Sequence, residues 1–237
     1  MKTGIYHTEN AGVYLTTPYT GILIDGAHQA EAVGFSPMTE QERILKKEGP
    51  FTTLSGLLFT HLHIDHFKAG KVTDILNAHP DLAVWGPGLE KRRLMEYSEE
   101  EQKIRFRIGD FTVFAYKTYH SGELYQTYPH ATLLFRNERE GESILVSGDA
   151  VFYPEDADRI RKDAGHVDLA FVMIYELIEK SSLQFLEELD PGRILLYHYP
   201  KPEEDTYNVL SMVNMIMKHN PLPGRTLEMP EQHSWVR

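Results

Sequence analysis

Two features of this chain predict a sheet-rich α/β fold. Short apolar runs cluster in both halves, and helical stretches fall between and after them instead of in a separate block. Residues 167–175 also form a long, nearly unbroken apolar stretch, as expected of a central strand covered on both faces. No glycine-serine linker, low-complexity segment or short-period repeat interrupts the pattern. Residues 1–237 are therefore expected to form one domain, long enough for a substantial core.

Residues 11–25 hold two short extended segments on either side of the Thr16-Thr17-Pro18-Tyr19 break, and the second ends at Asp25-Gly26. Residues 27–53 are less regular. Within them Thr39-Glu40-Gln41-Glu42 has capping-box spacing and predicts a helix to about residue 48, stopped by Gly49-Pro50. Leu57-Leu58-Phe59 reads as a buried strand, followed by a helix over about 70–78. Leu82-Ala83-Val84-Trp85 is a further strand, closed by Gly86-Pro87-Gly88. Residues 89–102 read as a strongly charged helix with a solvated face.

Strands and turns dominate the next part. Phe111-Thr112-Val113-Phe114-Ala115-Tyr116 leads to Thr118-Tyr119-His120-Ser121-Gly122, and residues 131–136 form another strand. A polar hairpin connection over 138–142 precedes Ile144-Leu145-Val146, which runs into Ser147-Gly148-Asp149-Ala150. Pro154 starts a helix that Gly165 ends. After the central strand come a helix over 181–189, the turn Asp190-Pro191-Gly192, and the strand Arg193-Ile194-Leu195-Leu196-Tyr197, which ends at His198. A helix over about 203–218 and a strand near 225–229 complete the order.

The composition is that of an ordinary globular protein, with 41% apolar and 25% charged residues. No apolar run approaches the roughly 20 residues of a membrane helix. Residues 1–10 lack the apolar core of a signal peptide, so the cytoplasm is the expected compartment. There are no cysteines, so a bound metal must be held by nitrogen and oxygen. The net charge is −11, and the densest basic patch, Lys91-Arg92-Arg93, is soon followed by Glu99-Glu100-Glu101. Proteins that bind long nucleic acids carry a basic stripe that neutralises phosphates. A small-molecule substrate is expected instead, and self-association is left open.

The strand at Leu57-Leu58-Phe59 stops abruptly in Thr60-His61-Leu62-His63-Ile64-Asp65-His66. In an extended segment residues two apart point the same way, so His61 and His63 can share one ion. Asp65 and His66 follow where the chain turns and can face a second position. Imidazole and carboxylate suit zinc and its first-row neighbours.

This stretch resembles the T-H-x-H-x-D-H signature of the metallo-β-lactamase-fold hydrolases. The resemblance, carried on residues from about Gly21 to His198, implies a four-layered αβ/βα sandwich of two mixed sheets flanked by helices. It also implies two divalent ions, zinc first and manganese or iron as alternatives. His61, His63 and His120 would hold one ion, Asp65, His66 and His198 the other, and Asp149 would bridge them. The implied reaction is metal-assisted hydrolysis by a bridging hydroxide, with the ions about 3.5–4 Å apart. Asp65 and Asp149 are thereby catalytic candidates as well as ligands. G-x-S-x-G is absent, so no nucleophile elbow is expected.

Within the superfamily, His120-Ser121-Gly122-Glu123 departs from the H-T-P-G-H of glyoxalase- and lactonase-type members. It is closer to the branch with ribonuclease Z, ascorbate-phosphate lactonase and several phosphodiesterases. Residues 168–176, with a carboxylate after a long strand, also resemble that branch. The leading expectation is a small phosphodiester or cyclic nucleotide as substrate. Lactone, ester or amide hydrolysis is the alternative, and a non-hydrolytic or binding-only protein is the third reading.

The remaining histidines are weighed on their surroundings. His7, His79, His166, His219 and His233 are expected at the surface. His28 and His130 are both candidates for the pocket mouth, as an acid or a substrate contact, and His130 is the third catalytic candidate. Asp25 is expected to support the site or fix a turn. Tyr119, Tyr197 and Tyr199 are expected in the core, and Gly26, Gly122 and Gly148 in tight turns.

Overall fold

The computed structural model describes residues 2–236. Two mixed sheets carry its strands. The first contains β1 (Gly4–His7), β2 (Val13–Thr16), β3 (Gly21–Ile24), β4 (Leu54–Leu58), β5 (Ala83–Trp85) and β15 (Ser234–Trp235), in the order β15-β1-β2-β3-β4-β5. It is antiparallel from β15 to β3 and parallel from β3 to β5. The second is built of β6 (Met95–Glu99), β7 (Lys103–Ile108), β8 (Phe111–His120), β9 (His130–Asn137), β10 (Glu142–Val146), β11 (Ala150–Val151), β12 (Leu169–Met173), β13 (Arg193–Tyr197) and β14 (Thr226–Glu228). Its order is β14-β13-β12-β10-β9-β8-β7-β6, with β11 on the far end of β8.

Alternation along the strands sorts side chains into layers, because neighbours in a strand point to opposite faces. In β2, Val13 and Leu15 join the core between the sheets, while Tyr14 faces outward. In β8, Val113 and Ala115 enter the same core, and Phe114 and Tyr116 face the other way. The outward face of the first sheet is covered by α1 (Gln41–Lys46) and α2 (Ala69–Ala78), which bury Ile44, Val72 and Ile75 there. The outward face of the second is covered by α3 (Pro154–Ala164), α4 (Lys180–Leu189) and α5 (Val209–His219), through Ile160, Phe185 and Val213. The result is the four-layered sandwich with helices outside and two sheets within.

The sequence reading differs from the structure in several places. Residues 89–102 are not helical: Arg92 bridges back to Val84, and Met95–Glu99 forms edge strand β6 against β7. Tertiary pairing overrides helix propensity here, with Leu94 and Tyr97 packing onto the inter-sheet core. No expectation covered β7, although Ile104, Phe106 and Ile108 alternate inward with Lys103, Arg105 and Arg107 in a plain strand pattern. The terminal strands β1 and β15 were likewise not anticipated. The capping box at Thr39 does not form, because its backbone N–H and hydroxyl both donate to Glu9 Oε1, and α1 begins at Gln41. His7 is fully buried, not superficial, with both ring nitrogens against the carbonyls of Asn10 and Pro230. Tyr119, expected in the core, is 59% exposed, while Tyr197 and Tyr199 are buried.

Candidate metal centre

The site lies where strand ends from both sheets meet. Asp25 follows β3, the segment with His61, His63, Asp65 and His66 follows β4, His120 ends β8, Asp149 joins β10 to β11, and His198 follows β13. The turn carrying Asp65 and His66 is closed by the backbone N–H groups of His66 and Phe67 donating to the His63 carbonyl. Asn10 holds two of these segments together: its side chain donates to the Asp65 carbonyl at 2.8 Å, and its own carbonyl accepts from the His198 N–H at 3.1 Å. Asn10, Asp25 and His198 all adopt left-handed φ, at 52°, 49° and 58°. Such backbone is costly for residues with a Cβ and persists where surrounding contacts impose it.

All seven residues expected from the sequence converge. Three groups have their ligand atoms within 4.8 Å of one another: His61, His63 and His120; His61, His66 and Asp149; and Asp65, His66 and His198. The two carboxylate oxygens of Asp149 divide between the sides. Oδ2 lies 3.7 Å from His120 Nε2 and 4.0 Å from His61 Nε2, while Oδ1 lies 3.2 Å from His66 Nε2 and 3.5 Å from His198 Nε2. Asp65 Oδ2 is 3.4 Å from His198 Nε2 on the second side.

The far ring nitrogens are held by neighbours, which aims the near ones inward. Asp25, fully buried, accepts from the Thr60 N–H (2.8 Å), the Thr60 hydroxyl (2.6 Å) and His66 Nδ1–H (3.1 Å). With its own proton given to Asp25, Thr60 Oγ1 accepts from His61 Nδ1–H at 3.1 Å. His120 Nδ1–H donates to the Ser121 carbonyl at 2.6 Å. Partners of this kind fix the tautomer of a ligating imidazole and raise its basicity. The expected supporting part for Asp25 agrees with these contacts.

This donor set fits divalent first-row ions. It offers imidazole and carboxylate without thiolate, with His61 Nε2 buried and lacking a hydrogen-bond partner. Imidazole nitrogens also face each other at 2.9 Å (His66 and His198) and 3.0 Å (His63 and His120). Two lone pairs at that distance repel unless a cation or proton lies between them.

The electrostatics differ between the sides. Burial pushes His61 well below the ordinary histidine value and lowers His63. Burial opposes charge on His66 too, but Asp149, Asp65 and Asp25 together raise it well above that value. Burial would raise Asp65 and Asp149, yet His66 and His198 outweigh it; Asp65 falls to about 2 and Asp149 lies well below the carboxylate range.

His28 and His130 do not reach the pocket mouth. His28 is fully buried, and its Nδ1 accepts from the Ala30 N–H. His130 is buried beside His61, its Nδ1 2.7 Å from the Thr118 hydroxyl and its Nε2 accepting from the Asp149 N–H at 3.0 Å. An accepting Nε2 places the proton on Nδ1, and burial lowers the ring to about 3, so it stays neutral. Gly148 is packed into this contact at φ +69°, where a Cβ would lie 2.6 Å from His130 Nε2 and 2.7 Å from Thr60 Cβ. His130→Ala is expected to keep the metal content of the wild type and lose about 1–3 kcal/mol of stability, because the Asp149 N–H loses its acceptor. Metal analysis with a denaturation curve tests this, and loss of metal at unchanged fold would make His130 a ligand.

The residues missed by sequence reasoning are those acting at long range. Asn10 shows no motif, and only its left-handed turn between two strands hints at a role.

The strand ends of this mixed α/β sandwich thus gather histidines and aspartates that could hold metal ions. A family model of the metallo-beta-lactamase superfamily matches residues 20–198, and the chain belongs to that superfamily, which is mostly metal-dependent hydrolases. No curated protein matches by sequence. Among solved structures, CmlA, a diiron beta-hydroxylase from Streptomyces venezuelae, aligns with TM-score 0.67 at 14% identity, over 100% of this chain and 54% of that one. This chain thus spans about half of CmlA's length. An isothiocyanate hydrolase from Delia radicum gut bacteria aligns with TM-score 0.65 at 13% identity, over 100% and 99% of the two chains. Unliganded yeast PDE1 aligns with TM-score 0.60 at 12% identity, over 98% of each. At these identities the likeness is one of fold.

Proposed function

We propose that the chain is a dinuclear metal-dependent hydrolase acting on a small, uncharged and largely apolar molecule with an acyl-type electrophile. The observation that carries this reading is a cavity of about 840 Å³ with Asp65, His120, Asp149 and His198 on its wall. The rest of the wall is mainly apolar and aromatic, including Phe35, Met173, Ile174, Tyr175 and Val209, and no Lys or Arg among the described residues lines it. Sites that work on phosphoryl groups supply cationic side chains or metals to the equatorial oxygens. Here the two ions alone would have to serve a phosphoryl group's oxygens, so the apolar wall without Lys or Arg and the −11 net charge tilt the pocket towards the acyl alternative over the phosphodiester expected from the sequence.

His61, His63 and His120 would hold one ion, Asp65, His66 and His198 the second, and Asp149 would serve both. Bound there, divalent ions supply Lewis acidity and a water whose proton is lost near neutral pH. Asp25, Thr60 and the Ser121 carbonyl keep the imidazoles oriented, so that little reorganisation is needed. Phe35, edge-on to His198 with ring centroids 4.8 Å apart, helps exclude bulk water from the second trio.

The test is a panel of 4-nitrophenyl esters, lactones, bis(4-nitrophenyl) phosphate, cyclic nucleotides and single-stranded RNA, with zinc or manganese supplied. Ester or lactone turnover that chelator abolishes is expected. Phosphodiester cleavage without ester turnover would overturn the acyl reading and restore the phosphodiesterase expectation.

The pH dependence follows from His66. It must shed a proton to offer Nε2, and nearby carboxylates hold that proton to a pH above the ordinary histidine value, whereas burial keeps His61 and His63 neutral. Acid should therefore empty the Asp65/His66/His198 trio first. Zinc-loaded protein dialysed from about pH 8 to about pH 5 should pass from two equivalents to one before losing the last. Simultaneous loss of both would contradict this division.

A further inference from the structure

Glu176 lies in the turn after β12, on the wall of the same cavity, and is 1% exposed. Its Oε1 accepts from the Ser147 hydroxyl at 2.6 Å and from the Met173 N–H at 3.3 Å. Its Oε2 is buried and has no hydrogen-bond partner. The cavity's other acidic groups are differently placed. Glu179 Oε2 accepts from the Ser182 N–H and the Ser181 hydroxyl, Glu123 is exposed, and Asp65 and Asp149 face the imidazoles. Glu176 is thus the carboxyl on this wall, outside the proposed ligand set, with a buried oxygen that lacks a hydrogen-bond partner among the described residues.

We propose that Glu176 determines specificity: its Oε2 donates a hydrogen bond to an acceptor oxygen or nitrogen on the uncharged substrate, a reading that rests on the hydrolase function proposed above. Oε1 already has the Ser147 hydroxyl and the Met173 N–H against it, which leaves Oε2 as the half of the carboxyl whose proton has no acceptor in the protein. Burial pushes the group well above the usual carboxylate range. Met173 and Ile174 border it on the same wall and offer no hydrogen bond from their side chains. A substrate lacking an acceptor would leave this buried donor unpaired, and such asymmetry is the strongest source of discrimination between near-isosteric substrates.

The experiment compares 4-nitrophenyl 3-methoxypropanoate with 4-nitrophenyl pentanoate on zinc-loaded protein; the two differ by one ether oxygen in place of a methylene. Wild type should favour the methoxy ester by about tenfold in kcat/KM, the size of one hydrogen bond. Glu176→Leu should lose or reverse that preference, and Glu176→Gln, which keeps a donor, should rescue it. An infrared band of a protonated carboxyl, lost in Glu176→Gln, should be present in the loaded wild type. Equal rates on the two esters with wild type, a preference kept by Glu176→Leu, no rescue by Glu176→Gln, or absence of the band would each overturn the proposal while leaving the hydrolase reading intact. Cleavage of neither ester would remove the acyl reading and this proposal together. Should Glu176→Leu fail to fold, the wild-type preference and the infrared band still decide.

Discussion

Asp149→Ala is expected to abolish hydrolysis and to weaken both metals at once. Its two oxygens point to opposite sides, Oδ2 to His61 and His120 and Oδ1 to His66 and His198. No other carboxylate among the described residues touches both sets. Removing it also takes away the negative charge that offsets two dications in a buried site. A fall of three orders of magnitude or more in kcat/KM is expected, about 4 kcal/mol of lost transition-state stabilisation. Asp149→Asn is the sharper form, since it keeps the volume and the backbone N–H bond to His130 while losing the charge. Metal content is measured after gel filtration, beside thermal melting to confirm folding. Should Asp149→Asn retain two equivalents of zinc and wild-type turnover, Asp149 is not shared by two ions.

The candidate site was legible in the sequence because each of its members follows an apolar run. Strand periodicity is a local signal, and His61, His120, Asp149 and His198 sit where such runs break off into polar residues. What was illegible depends on distant partners. His7 looks like a terminal surface residue, but β15 closes over β1 and the carbonyls of Asn10 and Pro230 flank its ring. His130 looks like a residue at a pocket mouth, but the Asp149 N–H and the Thr118 hydroxyl draw it behind the site. Residues 89–102 failed for another reason: edge strand β6 is mostly exposed, so its side chains carry no burial pattern, and only pairing with β7 defines it. The apolar, cation-free cavity could not be read either, because Phe35, Tyr175 and Val209 reach it from three separate segments.

The second large effect is expected at Asp25, which lies outside the proposed ligand set. Its carboxylate is the common acceptor for the Thr60 N–H, the Thr60 hydroxyl and His66 Nδ1–H. Without it the His66 ring loses the contact that keeps Nε2 turned toward Asp149, and Thr60 loses the acceptor that aligns its hydroxyl with His61. Loss of such a supporting carboxylate weakens metal binding by about 10–100-fold. The Asp65/His66/His198 trio should suffer most, since the bond to His66 is direct, while the bond to His61 passes through Thr60. Asp25→Ala mixes this with two further costs: unpaired buried donors, and an Ala at φ 49°. Asp25→Asn separates them. Asn tolerates the left-handed backbone and keeps one oxygen to accept from Thr60, yet its amide cannot accept from His66. Titration with a competing chelator should show one zinc held nearly as in wild type and the other released at 10–100-fold lower chelator strength. Wild-type affinity for both ions in a folded Asp25→Asn protein would show that Asp25 does not orient His66 for metal.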